Sequence, residues 1–216
     1  MDSGDVRRRF VLANTRLRRV PGVPELRLHL ADDVTALWER TETLRGGESA
    51  PPFWAFAWPG GQAVARHILD HPETVSGRSV LDLATGSGLC AVAAARSGAS
   101  RVVAVDVDPL SAAAVEVNSE ANGVRLDVEV RDLLSAGPPD VDLVLAGDIS
   151  YERPMAERMF SWLQRCRRAR VDVLVGDPGR AFLPRHLLQE VAGYELPTEV
   201  AVENVAVRRA SVFRIP

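Results

Sequence analysis

Val80-Leu81-Asp82-Leu83-Ala84-Thr85-Gly86-Ser87-Gly88-Leu89-Cys90-Ala91 decides the fold of this chain. A short apolar run ends in a glycine loop, and the loop opens directly into a segment predicted to be helical from Leu89 to about Ser97. Gly86, Gly88 and Ala91 fit G-x-G-x-x-A, and Asp106 lies twenty residues beyond Gly86 on a second predicted strand, Arg101–Val107. Glycines at such a turn let the backbone approach a ligand closely, and the acid accepts from both hydroxyls of a ribose. Taken alone, the same string also suits a plain strand–helix turn.

Downstream, the alternation continues. Pro109 starts a predicted helix running to about Asn122, Asp127–Val130 reads as a strand, and Val141–Ala146 is apolar enough to be buried on both faces. A helix over Pro154–Arg167, a strand over Val171–Gly176 and a helix over Pro184–Ala192 follow. Glu195–Glu203 and Val205–Ile215 read as two adjacent strands with a turn at Asn204. Strand–helix alternation with a terminal hairpin implies an α/β fold: a Rossmann-like, mostly parallel sheet, helices on both faces, and an antiparallel addition at the end.

Upstream, residues 1–45 form a polar preamble, with a short helix expected over Val6–Leu12 and an extended stretch where Leu26, Leu28 and Leu30 alternate. Gly46 to Pro52 is loop-like, and an aromatic cluster from Phe53 through Trp58-Pro59-Gly60-Gly61-Gln62 leads into a helix closed by Pro72.

Composition narrows the function classes. The 216 residues are 46% apolar and 25% charged, which disfavours disordered and fibrous classes. No run approaches the roughly 18 apolar residues of a membrane span. Met1-Asp2-Ser3-Gly4-Asp5 followed by Arg7-Arg8-Arg9 lacks the apolar stretch of a secretory signal. Cys90 and Cys166, far apart in sequence, fit a reducing cytoplasm. A net charge of −3 gives no whole-chain attraction to nucleic acid. All 26 basic residues are arginine; six of them (Arg7, Arg8, Arg9, Arg16, Arg18, Arg19) crowd the first twenty positions, as a solvated face or a docking surface for an acidic partner.

Two neighbours of the glycine loop discriminate between ligands. Asp82, inside the strand, would face a pyrophosphate in a dinucleotide enzyme, whereas the ammonium and sulfonium of S-adenosylmethionine favour a carboxylate there. Asp106, at a strand tip just before a helix, is expected to hold the ribose and cap that helix. Asp132 is placed to accept the exocyclic amine of adenine, with Leu133 packing on the ring. Asp148, at the end of the fourth strand, faces the crevice and is the candidate for the acceptor side. His67 and His71 have helix spacing but no third ligand nearby, so no metal is expected.

These residues resemble the seven-strand class I methyltransferases, and more narrowly the family-16 protein-lysine methyltransferases that act on the β-subunit of electron transfer flavoprotein. The resemblance spans roughly residues 10–216. It rests on Phe53-Trp54-Ala55 through Trp58-Pro59-Gly60-Gly61-Gln62, the loop after Asp82, Asp106-Val107-Asp108-Pro109, Gly147-Asp148 with Tyr151, and Gly176-Asp177-Pro178-Gly179-Arg180. It implies that Trp58 borders the cofactor, Gly86 to Gly88 cradle its methionine part, Asp106 holds the ribose and Leu133 touches adenine. It divides the chain into an N-terminal extension and loop, 1–52, and an S-adenosylmethionine-dependent methyltransferase domain, 53–216.

Lysine has a pKa of about 10.4 in peptides, so its amine must be stripped of a proton before it attacks. An apolar aromatic mouth, built in this reading from Trp54, Phe56 and Tyr151, would lower that value and hold the incoming ammonium by cation–π contact. Asp148 would orient the acceptor. The expected partner is a protein, of the electron transfer flavoprotein β-subunit type, and the expected state is a cytoplasmic monomer. A small-molecule (nicotinamide-like) N-methyltransferase, a ribosomal-protein methyltransferase and a non-enzymatic cofactor-binding protein stand as alternatives.

Overall fold

The computed structural model describes residues 3–198, 203 and 205–216. In chain order the elements are α1 (Ser3–Asn14), β1 (Arg16–Val20), β2 (Val23–Leu30), α2 (Val34–Arg45), α3 (Pro59–Asp70), β3 (Ser79–Leu83), α4 (Leu89–Arg96), β4 (Arg101–Asp106), α5 (Pro109–Ala121), β5 (Asp127–Val130), β6 (Leu143–Gly147), α6 (Arg153–Arg168), β7 (Asp172–Asp177), β8 (Gln189–Pro197) and β9 (Val207–Arg214). Seven strands form one sheet in the order β5-β4-β3-β6-β7-β9-β8, and β1 and β2 form a separate antiparallel pair. β5, β4, β3, β6 and β7 run parallel; β9 is antiparallel to both of its neighbours.

Period-two alternation allots each strand residue to a helix layer. Val80, Val102, Ala104, Leu143, Leu145 and Leu174 pack with α3 and α4, together with Leu26, Leu28 and Leu30 of β2. Leu81, Leu83, Val103, Val105, Val144 and Val175 pack with Phe160, Trp162 and Leu163 of α6. Asp82 shares the face of Val80, which turns its carboxylate under α4. The chain builds β3, β4 and β5 towards one edge, then returns to place β6 on the other side of β3. That reversal opens a crevice at the carboxyl ends of β3 and β6.

The preamble is more ordered than its polarity suggests. Asp33 caps α2 by accepting from the Ala36 amide at 3.0 Å, and Gly46 ends it in a left-handed conformation at φ 73°; no helix was expected there. The crowded arginines find partners inside the molecule. Arg8 makes a two-bond fork to Glu120 on α5, Arg9 pairs with Asp5, Arg16 and Arg18 with Asp32, Arg7 reaches Ser3, and Arg19 donates to the Pro24 carbonyl.

Two expectations need correction. The helix over Pro184–Ala192 is instead a short 3-10 turn, Arg185–Leu187, followed by β8. Leu187, Leu188 and Val191 carry helical spacing, but pairing from Gln189↔Arg214 onward gives eight residues of the nine-residue strand a partner and overrides it. The last two strands are accordingly Gln189–Pro197 and Val207–Arg214, and the expected turn at Asn204 lies outside the described residues.

Candidate active site

The glycine loop is fastened from three directions. Gly86 and Gly88 adopt φ 54° and 80°, open to glycine without strain, and a Cβ on Gly88 would come within 3.1 Å of Val115 on α5. Ser111 Oγ donates to the Gly86 carbonyl at 2.7 Å, and Asn118 Nδ2 to the Ser87 carbonyl at 2.8 Å, so α5 holds the loop from one side. From beneath, Asp82 Oδ2 accepts from Thr85 Oγ1 at 2.5 Å and from the Ala91 amide at 3.1 Å. The second bond caps α4, whose own N-cap, Gly88, has no side chain to offer. Burial dominates the chemistry of Asp82 and pushes its pKa up to about 7, against the pull of those two donors.

Asp106 closes the loop from the neighbouring strand: its Oδ2 accepts from the Gly86 amide at 2.9 Å and its Oδ1 from the Asp108 amide at 3.0 Å. The helix that follows is capped by Asp108, not Asp106, through a bond from the Leu110 amide at 2.9 Å. Each Asp106 oxygen keeps a further lone pair for a ribose hydroxyl. Asp132, one strand further, accepts from the Leu134 amide and from Arg158 Nη2, which together lower its pKa; Leu133 beside it is buried. Val107 and Val130 are exposed at the ends of β4 and β5.

Across the crevice, the end of β6 meets the start of α3. Gly60 and Gly176 touch backbone to backbone: a Cβ on Gly60 would fall 2.3 Å from the Gly176 carbonyl oxygen, and one on Gly176 only 2.0 Å from that of Gly60. This approach sets the first turn of α3 against Asp148, whose Oδ2 accepts from the Gly61 amide at 2.9 Å. Trp58, the N-cap residue of α3, offers no side-chain acceptor, so Asp148 is the cap. Asp148 itself adopts φ 54°, and its amide donates to the Gly176 carbonyl at 2.9 Å. Burial pushes its pKa up to about 7; Arg180, whose Nη2 is 3.2 Å from Oδ1, and the Gly61 amide oppose the rise.

Two of the three rings expected in an aromatic mouth lie elsewhere. Trp54 and Phe56 are buried in a cluster with Val11, Leu37, Leu110 and Ala113 and serve as core. Tyr151 instead clusters with Phe53, whose ring lies 5.2 Å from that of Tyr151 and 5.8 Å from that of Trp58. Trp58 Nε1 donates to the Phe53 carbonyl at 2.9 Å, and the Arg180 guanidinium stands over the Trp58 ring at 5.8 Å. Tyr151 is partly exposed, and burial of the rest raises its pKa. Cys90 bridges the two halves electrostatically: burial, then Asp82, then Asp148 raise its thiol pKa well above the usual value, leaving it an inert apolar group.

Relatives match this chain over most of its length. The electron transfer flavoprotein β-subunit lysine methyltransferase of Danio rerio is 37% identical over 98% of this chain and 84% of its own length, and that of Homo sapiens is 36% identical over 88% and 74%. The chain belongs to the electron transfer flavoprotein β-subunit lysine methyltransferase family. Within it, residues 67–149 also match the family model described as ribosomal protein L11 methyltransferase (PrmA). A proposed RNA methyltransferase from Pyrococcus horikoshii shares the fold, with a TM-score of 0.58 at 15% identity over 77% of this chain and 89% of that one. So does a tRNA (uracil-54, C5)-methyltransferase from Pyrococcus abyssi solved with S-adenosyl-L-homocysteine, with a TM-score of 0.50 at 14% identity over 70% of this chain and 38% of that one.

This member of the family is therefore an S-adenosylmethionine-dependent methyltransferase with a protein substrate. The site fits that cofactor: a glycine cradle open to backbone approach, one carboxylate at a ribose position, and two further buried acids suited to a cation. The sequence marks Asp177-Pro178-Gly179-Arg180 as a turn after a central strand, placed to shape a substrate mouth; the partner it does not mark is Glu203. Asp177 Oδ1 accepts from the Gly179 and Arg180 amides at 2.6 and 2.7 Å, Ser150 Oγ donates to Asp177 Oδ2, and Glu203 accepts from Arg180.

Proposed function

We propose that the chain methylates lysine of an electron transfer flavoprotein β-subunit, working as a monomer. The observation that carries this reading is the meeting of two half-sites at the carboxyl ends of β3 and β6. The glycine loop with Asp106 forms one half; Asp148 with Phe53, Trp58 and Tyr151 forms the other. S-adenosylmethionine supplies an electrophilic methyl group on a sulfonium. Asp106 holds the ribose, Asp132 and Leu133 meet adenine, Gly86 and Gly88 admit the methionine part, and Asp82 places negative charge beneath it. Trp58 spans both halves, bordering the cofactor on one side and the acceptor on the other.

The rings of Phe53, Trp58 and Tyr151 strip water from the incoming ammonium and lower its pKa, while their faces attract it until it is deprotonated. Asp148 orients the amine. With a pKa raised to about 7, its carboxylate also holds a proton from the ammonium at neutral pH, which a carboxylate of ordinary acidity does poorly. The acceptor nitrogen is then aligned about 3–3.5 Å from the methyl carbon, in line with the bond to be broken.

Both sheet edges suit a monomer. β8 presents Glu190 and Glu195, and β5 is a four-residue strand bearing Asp127 and Glu129. The free, buried Cys90 and Cys166 suit the reducing cytoplasm, and the net charge of −3 suits a partner other than nucleic acid. The test is incubation with radiolabelled S-adenosylmethionine and purified β-subunit. Label is expected in the β-subunit band, and to be lost when that subunit's lysines are replaced by arginine. Label confined to small molecules overturns the reading in favour of a nicotinamide-like substrate.

A further inference from the structure

Arg180 stands where its charge has two claimants. One nitrogen, Nη2, reaches Asp148 Oδ1 at 3.2 Å and Glu203 Oε1 at 2.7 Å. The Glu203 side chain is only 4% exposed, and its other oxygen pairs with Arg208 of β9 at 3.0 Å. Asp148, Arg180, Glu203 and Arg208 thus form a row of alternating charge from the end of β6 to the tail hairpin. The row is pinned at Arg180 by the Asp177 turn below it and by the Trp58 ring beneath its guanidinium. Arg180 Nε is buried without a hydrogen-bond partner among the described residues. A largely buried guanidinium interacts with its carboxylates more strongly than a surface arginine does.

We propose that Arg180 is a positioning residue that keeps Asp148 a carboxylate for the acceptor amine, and that Glu203 competes with Asp148 for its charge. The inference rests on the reading of Asp148 as the carboxylate that meets the amine. The groups facing Asp148 all bear on it. Arg180 and the first turn of α3 at Gly61 favour its charged form; Asp177, Glu203 and burial oppose it, and the Cys90 thiol on α4 faces it as a neutral group. Removing Arg180 therefore raises the proton affinity of Asp148. Removing the Glu203 charge lowers it twice over, by deleting a nearby negative charge and by leaving Arg180 to Asp148 alone.

The test is the pH profile of kcat/KM for methylation of the β-subunit by the full chain, compared among wild type, Asp148→Asn, Arg180→Gln, Arg180→Lys and Glu203→Gln. Wild-type activity is expected to fall away below an acid-side break near pH 7. Arg180→Gln moves the break up by about one unit, so activity at pH 7 relative to pH 9 falls about fivefold. Arg180→Lys restores most of the shift, and Glu203→Gln moves the break down. Asp148→Asn abolishes the break or leaves too little activity to profile; a break that persists in that variant overturns the reading of Asp148 itself. Asp148→Asn behaving as expected, with Arg180→Gln and Glu203→Gln lowering activity equally at every pH, overturns the inference alone. Should Arg180→Gln fail to fold, the downward shift in Glu203→Gln, which keeps the shape of the side chain, decides the matter.

Discussion

Asp106 and Asp148 are both acids at strand ends, yet their partners assign them different work. Asp106 binds the glycine loop and the turn before α5, leaving a lone pair on each oxygen; Asp148 binds the first turn of α3 and Arg180. Asp106→Ala is therefore expected to weaken cofactor binding by tenfold or more, about what charge-assisted hydrogen bonds contribute, as measured by isothermal titration. Asp148→Ala is expected to leave cofactor affinity within a few-fold and to cut kcat strongly. Near-wild-type kcat would reduce Asp148 to the cap of α3. Both acids were legible because each belongs to a local string whose geometry follows from a strand end. The Arg180–Glu203 bond joins residues 23 apart through a hairpin return, and no local pattern encodes it. The mouth was misread for a related reason. Phe53, Trp54, Phe56 and Trp58 crowd one short segment, and which rings face the core depends on the 3-10 turn at Phe53–Ala55, which periodicity does not reveal.

At the scale of elements, one device recurs: a helix without a capping side chain of its own takes its cap from an acid on the sheet. Asp82 serves α4 and Asp148 serves α3, each through the amide of the helix's third residue. The second arrangement depends on the contact between Gly60 and Gly176, so Gly176→Ala should force the pair apart. A Cβ 2.0 Å from a carbonyl oxygen has nowhere to go, and a loss of about 1–3 kcal/mol or more in denaturant unfolding is expected. The glycine loop offers a test of opposite sign. Ala84 adopts φ 53° at the end of β3, where a non-glycine residue is strained. Ala84→Gly should raise the midpoint of thermal unfolding through a net gain of up to about 1 kcal/mol, strain relief outweighing the added freedom of the unfolded chain. The parallel strands and their helices were readable because each is a local apolar run with its own period. β8 was not, because its helical spacing yields to a partner strand that comes later in the chain.

Across the whole molecule, the two raised acids give stability a definite pH dependence. Asp82 and Asp148 each titrate near 7 in the folded chain against an ordinary carboxylate value of about 3.8. Between those values the folded state holds more protons than the unfolded one, so both contributions favour folding below pH 4, fade as the pH rises, and are gone above 7. Urea midpoints should therefore fall between about pH 4 and 7, and less steeply in Asp82→Asn; an equally steep fall in that variant would remove Asp82 from the account. Composition yields a sharper test of the acceptor. All 26 basic residues are arginine, so a lysine methyltransferase with this sequence offers its own active site no lysine side chain. Incubated alone with labelled S-adenosylmethionine, the enzyme should remain unlabelled while the β-subunit, added in parallel, takes up label. Arginine is present throughout the surface, and histidine at His71 and His186, so an enzyme with broader nitrogen specificity would mark itself. Label in the enzyme's own band, mapped by mass spectrometry to one of those side chains, would show that the aromatic mouth does not select a primary amine and would redirect the search for the substrate.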